Sequence, residues 1–183
     1  MGLLSIIKKQ REKDREIRIL TLGLDNSGKT TVVKKILNED TDKVSPTMGF
    51  QINTVIYGDY TLNIWDIGGQ TTLRSFWGNY FERTNVVMWV VDCLSQERLR
   101  ESYKELREKV ILQDKLVGIY LAVLVNKIDL INAEKFTVVE EQIRNVLDLN
   151  SLPDKNKITV QLVSGKTGEG LPQVLNWITT RVY

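Results

Sequence analysis

Residues 17–33 read Ile17-Arg18-Ile19-Leu20-Thr21-Leu22-Gly23-Leu24-Asp25-Asn26-Ser27-Gly28-Lys29-Thr30-Thr31-Val32-Val33. The stretch from Ile17 to Gly23 is short and mostly aliphatic, as expected of a buried strand. The eight residues from Gly23 to Thr30 match GxxxxGK[ST], and a helix is expected from about Lys29 to Leu37. In that order, strand then glycine loop then helix, backbone N–H groups can turn inward around phosphate oxygens. The helix N-terminus adds a favourable dipole. Lys29 would reach the terminal phosphates, and the Thr30 hydroxyl would ligate Mg²⁺. The competing reading is a chance glycine-rich turn, and the strand–helix context weighs against it. By itself the loop leaves open ATP or GTP, and a switch or a kinase.

Outward from this unit the chain alternates strands and helices. Residues 50–57 and 60–66 are strand-like and are joined by Gly58-Asp59, a two-residue hairpin signal. Val86 to Asp92 and Ile119 to Val125 are almost continuously apolar, which suits strands covered on both faces. Residues 96–112 space Leu99, Tyr103, Leu106 and Val110 at a helical period. A helix near 137–147, a strand from Ile158 to Val163 and a helix from Leu171 to Val182 complete the pattern. The expected fold is α/β: a six-stranded, mostly parallel sheet with one antiparallel strand and helices on both faces. Residues 1–16 form an additional N-terminal amphipathic helix, and residues 17–183 form the nucleotide-binding domain.

Composition narrows the chemistry. The 183 residues hold one cysteine, Cys93, and no histidine. An intrachain disulfide, a cysteine zinc site, a histidine base and a Ser-His-Asp triad are therefore excluded. Chemistry must come from carboxylates, Lys, hydroxyls, backbone amides or a hard cation. The net charge of +2 is too small to imply nucleic acid. Six basic side chains (Lys8, Lys9, Arg11, Lys13, Arg15, Arg18) and three acidic ones lie within residues 1–18, read as a solvated helix face. No apolar run reaches the roughly 18 residues that span a bilayer. Leu3, Leu4, Ile6 and Ile7 followed by Lys8, Lys9 and Arg11 leave a mobile terminus or a membrane-surface helix open, and membrane contact is expected to be weak or absent.

Asn126-Lys127-Ile128-Asp129 follows the strand ending at Val125, at the sheet edge where α/β folds bind ligands. Asp129 can accept from the ring N–H and exocyclic amine of guanine, a donor pair that adenine lacks. A buried carboxylate left without those donors is costly, which gives selectivity. Lys127 can lay its stem over the base, and Asn126 can tie this loop to the phosphate loop. The other reading is a strand-ending turn with a helix cap. Asp66-Ile67-Gly68-Gly69-Gln70 offers a carboxylate for Mg²⁺ through water. It also offers a Gly68 or Gly69 N–H for a terminal phosphate and a Gln70 amide to orient a water. Thr47, between Pro46 and Gly49, is a second hydroxyl candidate for Mg²⁺. Ser164-Gly165-Lys166 follows the last strand, and its N–H groups could meet the guanine carbonyl or simply form a turn. The residues expected to hold the nucleotide are therefore Gly23, Asp25, Asn26, Ser27, Gly28, Lys29, Thr30, Thr31, Thr47, Gly69, Asn126, Lys127, Asp129, Ser164, Gly165 and Lys166. Thr30, Thr47 and Asp66 would serve the metal, and Gln70 and Lys29 the reaction. Asp25 should point away from the phosphates, because its carboxylate would be repelled.

Together GLDNSGKT, SPTMGF, LNIWDIGGQ, LRSFWGNYF and VNKIDL resemble the ADP-ribosylation-factor family of Ras-like small GTPases, over essentially the whole chain. The opening MGLLSI, SPTMGF and LRSFW are most similar to the branch tied to tubulin folding and microtubules. Ser27 and Gly165 stand where Ala is common in the family. The resemblance implies a P-loop fold, GTP and GDP as ligands with Mg²⁺, and slow hydrolysis of GTP. It also implies that Phe50, Trp65 and Tyr80 meet partners, although packing is the commoner use of aromatics there. The implied partners are a tubulin-folding cofactor, a GTPase-activating protein and sandwich-fold lipid carriers. A monomer in the cytoplasm, associated with the cytoskeleton, is the implied setting. The acylation motif at Gly2 needs Ser or Thr at position 6, where this chain has Ile6.

Overall fold

The computed structural model describes residues 2–183. Six strands form one sheet: β1 Glu16–Leu22, β2 Phe50–Tyr57, β3 Tyr60–Ile67, β4 Val86–Asp92, β5 Tyr120–Asn126 and β6 Ile158–Leu162, in the order β2-β3-β1-β4-β5-β6. Only β2 runs antiparallel, paired to β3 through the Gly58-Asp59 turn. The other pairings are all parallel, with β1 at the centre between β3 and β4. The five helices are α1 Leu3–Asp14, α2 Lys29–Ile36, α3 Leu99–Leu106, α4 Phe136–Val146 and α5 Leu171–Thr179.

The apolar runs are explained by two cores, one on each face. Along β4, Val87, Trp89 and Val91 pack with Leu106 of α3 and Ile143 of α4. Alternate residues Val86, Met88 and Val90 pack with Val32 of α2 and Val174 and Ile178 of α5. A strand covered on both sides has no polar face, so its sequence does not alternate. The carboxyl ends of β1, β3, β5 and β6 consequently share one edge of the sheet. From that edge leave Gly23, Gly68, Lys127 and Val163, each opening one of the segments singled out above.

Several boundaries differ from expectation. The N-terminal helix ends at Asp14 and Glu16 already pairs with Thr61, so the division at residue 16 falls inside β1. The helix expected over 96–112 is a 3₁₀ turn, a regular helix and a π-turn in succession. The last helix stops at Thr179 rather than Val182. There the Thr179 and Thr180 hydroxyls bond back to Leu175 O and Asn176 O, and Tyr183 folds over so that its hydroxyl reaches Ile178 O. Residues 71–80, which carry no apolar period, form a 3₁₀ segment pinned by the buried Trp77.

A candidate nucleotide site at the carboxyl edge of the sheet

The phosphate loop closes tightly. Gly28 has φ 93°, and a Cβ there would run into the Asn126 side-chain amide, so both conformation and space demand glycine. Lys29 is buried, and its ammonium donates to Gly23 O at 3.0 Å and Leu24 O at 2.8 Å. Burial pushes its pKa down to about 8. The loop thus holds a cation against its own carbonyls, with the N–H groups of the following helix start alongside.

Three oxygens meet beside it. Thr30 Oγ1 donates to Asp66 Oδ2 at 2.6 Å and lies 2.7 Å from Thr47 Oγ1, which is 3.3 Å from the same carboxylate oxygen. Asp66 is fully buried, its other oxygen has no partner, and burial raises its pKa. A buried carboxylate with an unsatisfied oxygen and two hydroxyls within reach forms an oxygen-only donor set, which fits Mg²⁺. Thr30→Asn replaces the compact hydroxyl with a bulkier amide. GTP affinity is expected to fall by roughly tenfold or more, the cost of one charge-assisted contact, and GDP affinity by less because Thr47 also serves the GTP state. Titration of both nucleotides in Mg²⁺ checks this, and equal losses would contradict the assignment of Thr47.

The Gly-Gly pair presses against the loop. A Cβ on Gly69 would lie 2.6 Å from both Gly23 O and Asp25 N, and against the Lys29 ammonium. Gly68 O accepts from Trp77 Nε1 at 3.1 Å, and Gly69 O from Arg74 Nε at 2.8 Å and Asp25 N at 3.1 Å. Both carbonyls are thus held by protein donors, and Gln70 follows, lining a cavity with Lys29, Thr30, Thr31, Pro46 and Thr47. Its side chain is half-buried and caps nothing.

The base end is braced from within. Asn126 Nδ2 donates to Ser27 O at 3.0 Å and its Oδ1 accepts from Gly165 N at 2.9 Å, joining three loops. Lys127 has φ 71°, and its ammonium bonds Asn26 O at 2.9 Å and Asp92 at 2.7 Å. Its stem therefore lies across the gap beside the phosphate loop. Ser164 is buried, and its hydroxyl donates to Asp129 Oδ1 at 2.7 Å. Asp129 itself is exposed, so the sequence argument from a buried carboxylate needs correction: the cost arises only once a base covers it. The N–H of Gly165 is committed to Asn126, which leaves the Lys166 N–H as the loop donor bonded to no protein group among the described residues. The Lys166 side chain is exposed beside Asp42 and stands apart from the site.

The sequence reading passed over Arg74, Arg98, Asp92 and the Ser164 hydroxyl. Arg74 is almost fully buried, and its guanidinium pairs with Asp25 at 3.0 Å, Glu101 at 2.8 Å and Glu105 at 3.1 Å. Arg98 pairs with Asp25 at 2.8 Å and Glu101 at 3.0 Å. Arg98 holds both carboxyls below the usual carboxylate range. Since their folded pKa values are lowered, the stabilisation is complete at neutral pH and lost as pH falls through the folded values. The thermal-midpoint gap between Arg98→Ala and the parent chain should therefore be full at neutral pH and narrow as pH falls below the ordinary carboxylate range.

The aromatic trio is assembled. Phe50, Trp65 and Tyr80 have ring centroids 5.5–6.2 Å apart, and Arg18 lies 3.9 Å over Trp65. Phe50 is 47% exposed, whereas Trp65 and Tyr80 are half-buried against the core, so packing and surface roles coexist.

A solved structure shares this fold, and several known proteins resemble the sequence. A solved small GTPase of Trypanosoma brucei, Arl6 (BBS3) with bound nucleotide analogue GppNp, superposes with TM-score 0.72 at 23% identity, over 89% of this chain and 95% of that one. ADP-ribosylation factor-like protein 2 of Arabidopsis thaliana is 46% identical over all of this chain and 98% of its own length. The Drosophila melanogaster protein of the same name is 45% identical over 97% and 94%. ADP-ribosylation factor-like protein alp41 of Schizosaccharomyces pombe is 43% identical over 97% and 92%. Residues 3–182 match the ADP-ribosylation factor family. The chain belongs to that family of small GTPases, which bind GTP and GDP with Mg²⁺ and hydrolyse GTP to GDP.

Proposed function

We propose that the chain is a nucleotide-dependent switch serving tubulin folding and microtubules in the cytoplasm, as a monomer. The observation that carries the switch is the convergence of Thr47 and Gly69 on the phosphate loop. Each comes from a segment next to Phe50 or Tyr80, so nucleotide state and partner surface share a backbone. The tubulin assignment is supported by likeness to proteins named ADP-ribosylation factor-like protein 2 and by SPTMGF and LRSFW. Candidate partners are a tubulin-folding cofactor, a GTPase-activating protein and sandwich-fold lipid carriers. Capture of purified tubulin-folding cofactors on GTP-loaded and GDP-loaded chain tests the assignment, and absence of nucleotide-dependent capture refutes it.

In the reaction, water attacks the terminal phosphate of GTP to give GDP and phosphate. Lys29 and the loop N–H groups meet the phosphate charge, and Gln70 orients the water. Thr30, Thr47 and Asp66 would hold Mg²⁺, which supplies charge neutralisation when bound. Arg74 and Arg98 are engaged with carboxylates, so an activating arginine is expected from a partner. The alternative is a GTP-binding module with negligible turnover, which a single-turnover measurement separates.

The N-terminal helix carries Leu3, Leu4 and Ile6 at 73%, 63% and 51% exposure. We propose, from the family resemblance, that this stripe docks on the body in the GDP form, the alternatives being a mobile terminus or a membrane-surface helix. If docking favours the GDP form, linkage requires that it weaken GTP relative to GDP. Deleting residues 2–12 should raise the GTP/GDP affinity ratio, by about tenfold for a net coupling near 1.4 kcal/mol, with Leu3→Ala plus Ile6→Ala giving part of the effect. An unchanged ratio would remove the helix from the switch.

A further inference from the structure

Asp25 is the only carboxylate between Gly23 and Thr30. It lines the phosphate cavity together with Lys29, Thr47 and Gly69, and its side chain is 43% exposed. Its Oδ1, however, accepts from Arg98 Nη2 at 2.8 Å and Arg74 Nη2 at 3.0 Å, and neither arginine lines that cavity. Arg98 also donates through Nη1 to the Asp25 carbonyl at 2.8 Å, gripping the residue at two points. Two guanidinium groups sharing one oxygen repel each other, and Glu101 and Glu105 behind them offset that repulsion. Four charged side chains from two other segments thus converge on the placement of one carboxylate.

We propose that Arg98, with Arg74, is a positioning residue for GTP: the pair holds the Asp25 carboxylate away from the terminal phosphate without either arginine touching the nucleotide. Released from the pair, a carboxylate on this loop sits among phosphate oxygens of its own sign. The penalty is greater for GTP than for GDP, because the terminal phosphate adds charge at the Gly69 end of the cavity. Arg74 also holds Gly69 O, so its loss disturbs the peptide preceding Gln70. Arg98 leaves Gly69 alone; its own main-chain contact, to the Asp25 carbonyl, is present whether residue 25 is Asp or Asn, so comparing the two backgrounds isolates the electrostatic role.

The inference rests on the cavity being the phosphate site, and the experiment separates the two. Affinities and dissociation rates of a fluorescent non-hydrolysable GTP analogue and of fluorescent GDP are measured on the full chain. Arg98→Ala, Arg98→Lys and Arg74→Gln are each made with and without Asp25→Asn. Arg98→Ala is expected to weaken the GTP analogue roughly tenfold, the scale of a like-charge contact near a protein surface, and to weaken GDP clearly less. Arg98→Lys keeps the charge and should recover most of the loss, and raising the salt should narrow it. In the Asp25→Asn background, Arg98→Ala should cost clearly less than in the parent, since no carboxylate remains to be released and only the bond to the residue-25 carbonyl is lost. The same fold-loss in both backgrounds, or no loss in either, overturns the positioning role. If Arg74→Gln fails to fold, the Arg98 series decides alone. A parent chain that binds no guanine nucleotide would instead overturn the nucleotide site itself.

Discussion

Asp129→Ala loses most guanine-nucleotide affinity. The carboxylate is presented by a 3₁₀ turn after β5, with one oxygen held by the Ser164 hydroxyl at 2.7 Å. That bond fixes the direction in which the group can accept from the guanine ring N–H and amine. Removing two charge-assisted hydrogen bonds at about 1.5–3 kcal/mol each predicts a loss of roughly 10²–10⁴-fold. The parent chain should bind GDP and GTP far more tightly than ADP and ATP, because adenine leaves the carboxylate covered and unpaired. Competition of unlabelled nucleotides against labelled GDP checks both statements. Equal displacement by ATP would sink the assignment of Asp129. Ser164→Ala should produce a smaller loss in the same direction, since it removes orientation and leaves the acceptor.

Gln70→Leu should leave GTP bound and stop its turnover. The amide caps nothing at the start of the 71–80 segment, and the preceding carbonyls are held by Trp77 and Arg74. The side chain therefore projects from a fixed backbone with its hydrogen-bonding groups available to a water. Intrinsic hydrolysis should be slow in the parent chain, on the order of 10⁻⁴ to 10⁻² s⁻¹, as in GTPases awaiting a partner's arginine. General acid–base and orienting groups contribute about 10²–10⁴-fold, so the variant should fall by at least the lower figure under stimulated conditions. Single-turnover release of phosphate, with and without a stimulating partner, measures this. Normal rates in both conditions would assign the water to another group.

What was legible in the sequence was local. The phosphate loop lies within one strand–turn–helix unit, and Asn126 to Asp129 directly follow a strand, so spacing alone places them on the ligand edge. The strands of the two-faced sheet were visible because continuous apolar runs have few other uses. The Asp25–Arg74–Arg98 cluster was not legible. It joins positions 49 and 73 residues apart through side chains whose types, singly, suggest only a solvated surface. Arg74 sits within LRSFW beside two aromatics, and its near-complete burial has no signature in residue type. Residues 71–80 escaped for a related reason. A 3₁₀ segment held by one indole and one guanidinium carries no hydrophobic period. Thr47 was placed only by spacing, yet stands 2.7 Å from Thr30, because Gly49 O accepts from Gly68 N and draws the two segments together.

The bridging amide of Asn126 has a kinetic corollary. It ties Ser27 to Gly165 at once, while Lys127 spans Asn26 and Asp92, so the half of the cleft that receives the base is cross-braced by protein alone. The opposite half is closed by Thr47 and Gly69, which reach the loop from outside it. A catalyst of nucleotide release therefore meets two walls of unequal stiffness. Prying at the base wall must break bonds that join three loops, whereas moving residues 45–49 or 68–70 leaves those bonds intact. Nucleotide release is therefore expected to begin at the phosphate end, and loosening Asn126 by Asn126→Ala should speed release of GDP by freeing the base wall.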